Sequence, residues 1–156
     1  NKNLKIAIDN LLLALRYNPK LFCAYNTIGW IYTQLKNYEK GELYLNQSLK
    51  IAPNFRLALI NRGNLYLILS KRNLEKSGLY WIKACRDFKK ALQDNPSPML
   101  YYQLAKLYSI RKDRTQTLYY LRMSLQHGYK DIETIRKEKN FSFINHTSEF
   151  KEIVAN

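Results

Sequence analysis

Two histidines and two cysteines are the side chains in this sequence best suited to chemistry, and their placement gives them little to do. Catalysis needs a nucleophile with a base, a general acid or a metal. His127 stands in the turn Gln126-His127-Gly128, where a cation suits a helix C-terminus, and His146 stands in the loop Asn145-His146-Thr147. Cys23 and Cys85 have no CxxC spacing and no histidine pattern beside them, which argues against a zinc site and against a disulfide scaffold. Both are expected to be buried, reduced packing residues. No phosphate-cradling or dinucleotide-binding glycine motif occurs. The reading is therefore no catalytic residue, no metal and no cofactor.

Recognition chemistry is better represented. Lys71, Arg72, Leu74, Lys76, Leu79, Tyr80 and Trp81 mix basic, aliphatic and aromatic groups within one short stretch, a combination common at interface hot spots. The formal charge of +14 and pI near 9.8 raise an alternative, an RNA-binding or anionic-surface-binding domain using Lys71, Arg72, Lys76, Lys83, Arg86, Lys89 and Lys90. Most of the 26 basic residues are scattered singly, and abundant Lys, Asn, Ile and Tyr fit an AT-rich coding sequence, so nucleic acid is the lesser expectation. The apolar run Leu11 to Leu15 is far shorter than the roughly 20 residues of a membrane helix. Asn1 is expected to mark the edge of a longer chain, with any localisation signal upstream.

The elements that must position these groups are announced by a period of 34. Gly29 and Gly63, Tyr32 and Tyr66, Pro19 and Pro53, Ala7 and Gly41, Leu11 and Leu45, and Ala14 and Ser48 are all 34 apart. Small residues at Gly29, Gly63 and Ala105 fit the close approach of paired helices, and Gly41, Ala84 and Thr117 serve the facing helix. Tyr32, Tyr66 and Tyr108, three positions on, share the helix face of the small residue. Pro19, Pro53 and Pro96 close each unit, since proline cannot continue a helix.

These positions resemble the tetratricopeptide repeat. The best copy begins at Phe22, with Tyr25, Ile28, Gly29, Tyr32, Gly41, Leu45, Ser48 and Pro53 in the signature slots. The copy from Arg56 carries Arg62 where an apolar residue is usual, and the copy from about Pro98 has Tyr129 in place of proline. The resemblance implies an all-α solenoid of antiparallel helix hairpins with a C-terminal helical cap. A single domain over 1–156 divides into a lone second helix (1–19), a repeat (22–55), a repeat with an insertion near 71–80 (56–97), a repeat (98–129) and capping helices (130–156). The cap resembles that of bacterial members, apart from Lys139-Asn140 where Asp-Pro is common.

For function, the resemblance implies a non-enzymatic scaffold that binds a partner protein's helix or peptide in a concave groove. The groove positions read Asn26, Trp30, Leu57, Ile60, Asn64, Leu67, Met99, Tyr102 and Lys106, a mainly apolar surface with Trp30 and Tyr102 as anchors. The family's carboxylate clamp for chaperone tails does not fit, because Asn26 and Trp30 replace its first lysine and asparagine and Met99 and Gln103 fill its later basic slots.

Two further expectations concern edges. Leu4, Ile8, Leu11, Leu12, Leu13 and Leu15 make the first helix apolar around most of its circumference, which invites an upstream helix or self-association there. In the second copy the spacing from Gly41 to Ala84, and from Pro53 to Pro96, is 43, nine more than the period. With Asn73 as N-cap, the second helix is expected to begin early and run to about Gln93, projecting about 13 Å as an arm.

Overall fold

The structure, a computed structural model, describes residues 2–73, 75–93 and 95–155. Among them the regular elements are all helical: α1 (Lys2–Tyr17), α2 (Phe22–Gln34), α3 (Tyr38–Ile51), α4 (Arg56–Arg72), α5 (Ser77–Leu92), α6 (Pro98–Ile110), α7 (Arg114–Gln126), α8 (Ile132–Lys137) and α9 (Ser148–Ala155), with a 3-10 turn at Lys139–Phe141. The fold is all-α and built from paired adjacent helices of the repeat-solenoid kind. The chain divides into two compact units, Asn1–Ala91 and Leu92–Asn156.

In the first unit, α2 pairs with α3, and α1 and α4 pack against this hairpin. Glycine permits the close approach: a Cβ on Gly29 would lie 2.7 Å from Leu45 Cγ and 2.9 Å from its backbone nitrogen. Leu15, Ala24 and Ile28 form a core to which Leu11, Leu12, Tyr25, Tyr32 and Tyr44 add partly buried surface. The first helix thus buries Ile8 and Leu15 on one side, while Ile6, Leu13 and Tyr17 remain exposed on the other. Cys85 is buried but Cys23 is exposed at the start of α2, a correction to the expected burial of both.

A three-residue turn closes the hairpins α2–α3 and α6–α7 in the same way. Asn37 N–H donates to Tyr32 O (2.9 Å) and Lys36 N–H to Thr33 O (3.0 Å); Asp113 and Lys112 repeat the pattern onto Tyr108 and Ser109. Such a helix stop requires a left-handed residue, here Lys36 (φ 61°) and Lys112 (φ 53°). Asn37 and Asp113 then cap the next helix by accepting from Lys40 N–H (3.2 Å) and Gln116 N–H (3.0 Å), worth about 1 kcal/mol each.

The insertion is distributed differently from the expectation. Relative to α2, α4 runs four residues further, to Arg72; relative to α3, α5 starts four residues early, at Ser77; the connection gains one residue. Both helices of the hairpin extend about a turn further at the end where they are connected, whereas the spacing had been read as extending the second alone. Asn73 accepts from Lys76 N–H (3.0 Å), so it does order the connection, but as a turn residue four positions before α5.

In the second unit, α6 pairs with α7, and the chain then returns through α8 and the 3-10 turn to α9. Tyr102, Leu121, Ile135, Phe141, Ile144 and Phe150 lie in one buried cluster. Gly128, at φ 98°, supplies the left-handed stop after α7. Thr147 caps α9 by accepting from Phe150 N–H (3.3 Å).

Candidate protein-interaction surfaces

The face carried by the first helix of each hairpin holds the residues read from sequence as a groove, and the structure sorts them into open and closed positions. In the first unit Trp30 on α2 is 44% exposed and Leu57 on α4 is 56% exposed. Ile60 and Asn64 are half-buried. Asn26 is buried between α2 and α4, where its Oδ1 accepts from Asn61 Nδ2 (2.9 Å), and Leu67 is buried as well. These two belong to the helix packing and present little surface to a ligand.

In the second unit Met99 is exposed, but Tyr102, the expected second anchor, is only 4% exposed. Its ring stacks on Tyr129 at 4.7 Å and meets the edge of Phe141 at 6.1 Å, and its hydroxyl donates to Glu138 Oε2 at 3.5 Å. Burial, then the charge of Glu138, holds its phenol well above the ordinary range. Lys106 pairs with the same carboxylate at 3.1 Å and lies over the Tyr102 ring. The returning chain therefore occupies this part of the face, and Tyr102 and Lys106 are corrected from ligand contacts to seals between α6 and the closing segment.

The lengthened hairpin folds back on the α2–α3 turn. Tyr80 stacks on Tyr66 at 6.0 Å, and the Arg72 guanidinium lies 5.4 Å from the Tyr38 ring. Leu35, Tyr38, Glu39, Glu42, Leu69 and Tyr80 line a cleft of about 490 Å³ at this end of the unit. Lys71, Lys76 and Leu79 are exposed, Trp81 is half-buried, and Leu74 lies outside the described residues. Lys83 is taken up by Glu42 (3.2 Å), so the basic residues read as an RNA-binding set do not all face solvent freely.

Sequence reasoning missed the polar network beneath this face. Arg62, in a slot usually apolar, donates from Nε to Asp87 Oδ2 (2.7 Å) and from Nη2 to Oδ1 (2.9 Å), while Nη1 reaches Asn46 Oδ1 (2.7 Å). Asp87 is 1% exposed. Burial pushes the guanidinium pKa down, but the hydrogen bonds and charge of Asp87 outweigh it and hold the group above its ordinary value. Beside it Tyr66 donates to Glu42 Oε1 at 2.7 Å. The signal available in sequence was a charged residue at 62, where the repeat usually has an apolar one, and an acid at 87 among basic neighbours.

Residues 24–55, which span almost all of the α2–α3 hairpin, match the family model for the tetratricopeptide repeat. This stretch is a tetratricopeptide repeat. No curated protein matches it. Tetratricopeptide repeats in general serve as protein-interaction scaffolds and not as enzymes, and this chain's repeat supports that role. Among the described residues no three His, Cys, Asp or Glu side chains gather as metal ligands. No helix among the described residues is long and apolar enough to cross a membrane.

Proposed function

We propose that this tetratricopeptide-repeat chain is a scaffold that holds a helix or extended segment of a partner protein against the first-helix face of residues 22–72, with the lengthened α4–α5 hairpin as a second contact. The observation that carries the proposal is the exposure of Trp30 and Leu57 on α2 and α4. A large aromatic side chain left at the surface of an interaction module is the residue type that most often dominates binding. The hairpin supports it by exposing Lys71, Lys76 and Leu79, and its Tyr80 lines a cleft together with Tyr38. Self-association through Ile6, Leu13 and Tyr17 on α1 belongs to the same proposal.

The test starts from cross-linked affinity purification with the chain as bait. Trp30→Ala should weaken the recovered partner's binding by at least about 2 kcal/mol, with helicity unchanged. Deletion of residues 72–80 joins Lys71 to Trp81 and restores the 34-residue period. The shortened chain should stay folded and lose partner affinity. If both variants bind as the parent does, the interface lies elsewhere.

A further inference from the structure

A second surface of the first unit has a different chemistry. Between α3, the turn at Pro53, α4 and α5 lies a cleft of about 420 Å³ whose charged lining is Lys50, Arg62, Arg86, Lys90 and Asp87. Four cations thus surround one carboxylate. That carboxylate is buried and has both oxygens taken by Arg62. Arg86 Nε stands 3.8 Å from Asp87 Oδ1 with its side chain 66% exposed, so it is held only loosely. Lys50 and Lys90 make no ion pair among the described residues. Arg86 and Lys90, one turn apart on α5, repel each other at a spacing that costs stability in an isolated helix.

The floor is pre-organised. Arg62 is fixed on three sides by Asp87 and Asn46, and Leu49 and Leu59 form apolar wall around it. An anion entering here would meet three under-compensated cations over a floor of low dielectric, where charge attraction is stronger than in bulk water. The lining residues include no aromatic ring. Single-stranded nucleic acid is held by stacking bases on such rings as well as by charge, so this lining favours a carboxylate side chain with an aliphatic neighbour.

We propose that the cleft between α3 and α5 is a docking site for an acidic segment of a partner protein, with Arg86, Lys90 and Lys50 receiving its carboxylates and Leu49 and Pro53 a flanking aliphatic side chain. The site uses none of the groove residues, so it stands or falls apart from Trp30 and Leu57.

The probe is a short fluorescein-labelled peptide rich in glutamate with a single leucine, titrated against the intact chain by fluorescence anisotropy. Its glutamine counterpart and a single-stranded oligouridylate of similar length serve as comparisons. Arg86→Glu combined with Lys90→Glu should weaken the glutamate peptide at least about tenfold. Lys130→Glu combined with Lys151→Glu makes the same change of charge at exposed sites in the second unit and should weaken it no more than about twofold. Melting curves confirm that all variants are folded, and Lys50→Glu provides an independent reversal from α3. Failure of the glutamate peptide to bind overturns the proposal, as does equal binding of the glutamine peptide or equal loss in the two double variants. Tighter binding of the oligouridylate, lost on reversal of Arg86 and Lys90, would replace the acidic partner by nucleic acid.

Discussion

Removing the Arg62 guanidinium should cost this protein far more than removing an ordinary surface cation, and removing its partner as well should restore most of the loss. The side chains of Arg62 and Asp87 are 15% and 1% exposed, and the carboxylate receives two hydrogen bonds from the guanidinium. In Arg62→Met the only described cation left within ion-pair distance of Asp87 is Arg86, at 3.8 Å and mostly in solvent. Breaking a buried pair from one side costs about 3–5 kcal/mol. With Arg86 able to swing closer, the lower end is expected, about 3 kcal/mol. For a chain of 156 residues that corresponds to a fall in Tm of roughly 6–12 °C. Asp87→Leu leaves the guanidinium unpaired beside Asn46 and should cost about as much. The double variant Arg62→Met, Asp87→Leu exchanges a buried ion pair for apolar packing, and such exchanges are often neutral, so it should lose less than either single variant. Urea unfolding followed by far-ultraviolet circular dichroism measures all three, with equal m-values required for comparison. Additive losses, or a cost below about 1 kcal/mol for Arg62→Met, would refute the buried pair as the reason for arginine at this position.

Two further outcomes follow from the packing and the phenols. Gly63→Ala would place a Cβ 2.5 Å from Phe88 Cε1 inside the core, and Gly29→Ala would meet the Leu45 backbone at 2.9 Å; each should cost about 1–3 kcal/mol in denaturant melts, with Gly29→Ala the worse because backbone cannot rotate away. Tyr66 is held far above the ordinary phenol range by burial and then by its bond to Glu42, and Tyr102 by burial and then by Glu138. The folded state keeps both phenols protonated while the unfolded chain ionises them near pH 10, so their contribution is complete below about pH 10 and is lost as pH rises beyond it. Phenolate absorbance should show them titrating last, together with loss of helicity, and Tyr66→Phe should make the alkaline fall in stability shallower; an unchanged slope would contradict the burial argument.

What the sequence made legible is what packing constrains locally. Gly29 and Gly63 are fixed by contacts that admit no Cβ, so they recur at a readable interval of 34. The nine-residue excess was countable for the same reason. Its division was not, because lengthening the end of α4 or the start of α5 leaves the flanking signature residues equally spaced. Arg62 looked like a departure from the repeat because its partner Asp87 lies 25 residues away on another helix. Tyr102 was assigned to the groove because its helical register points there; the segment that covers it, from Tyr129 to Phe141, carries no periodic signal that ties it to α6. Cys23 was read from the habit of its residue type, and its position at the exposed start of α2 overrode that habit.

The two units therefore use the same helical hairpin to different ends. In the second, Tyr102 and Lys106 are bound to Tyr129 and Glu138 of the same chain, contacts made at no cost in translational freedom, so a competing ligand would have to displace an intramolecular partner at high effective concentration. In the first, Trp30 and Leu57 stay in solvent, and the cleft between α3 and α5 holds cations without matching anions. Exposed aromatic surface and unbalanced charge are both unfavourable in an isolated chain, and both become favourable on association with a partner of the complementary kind. Substitutions at Trp30, Leu57 and the cations of that cleft should therefore separate binding from folding.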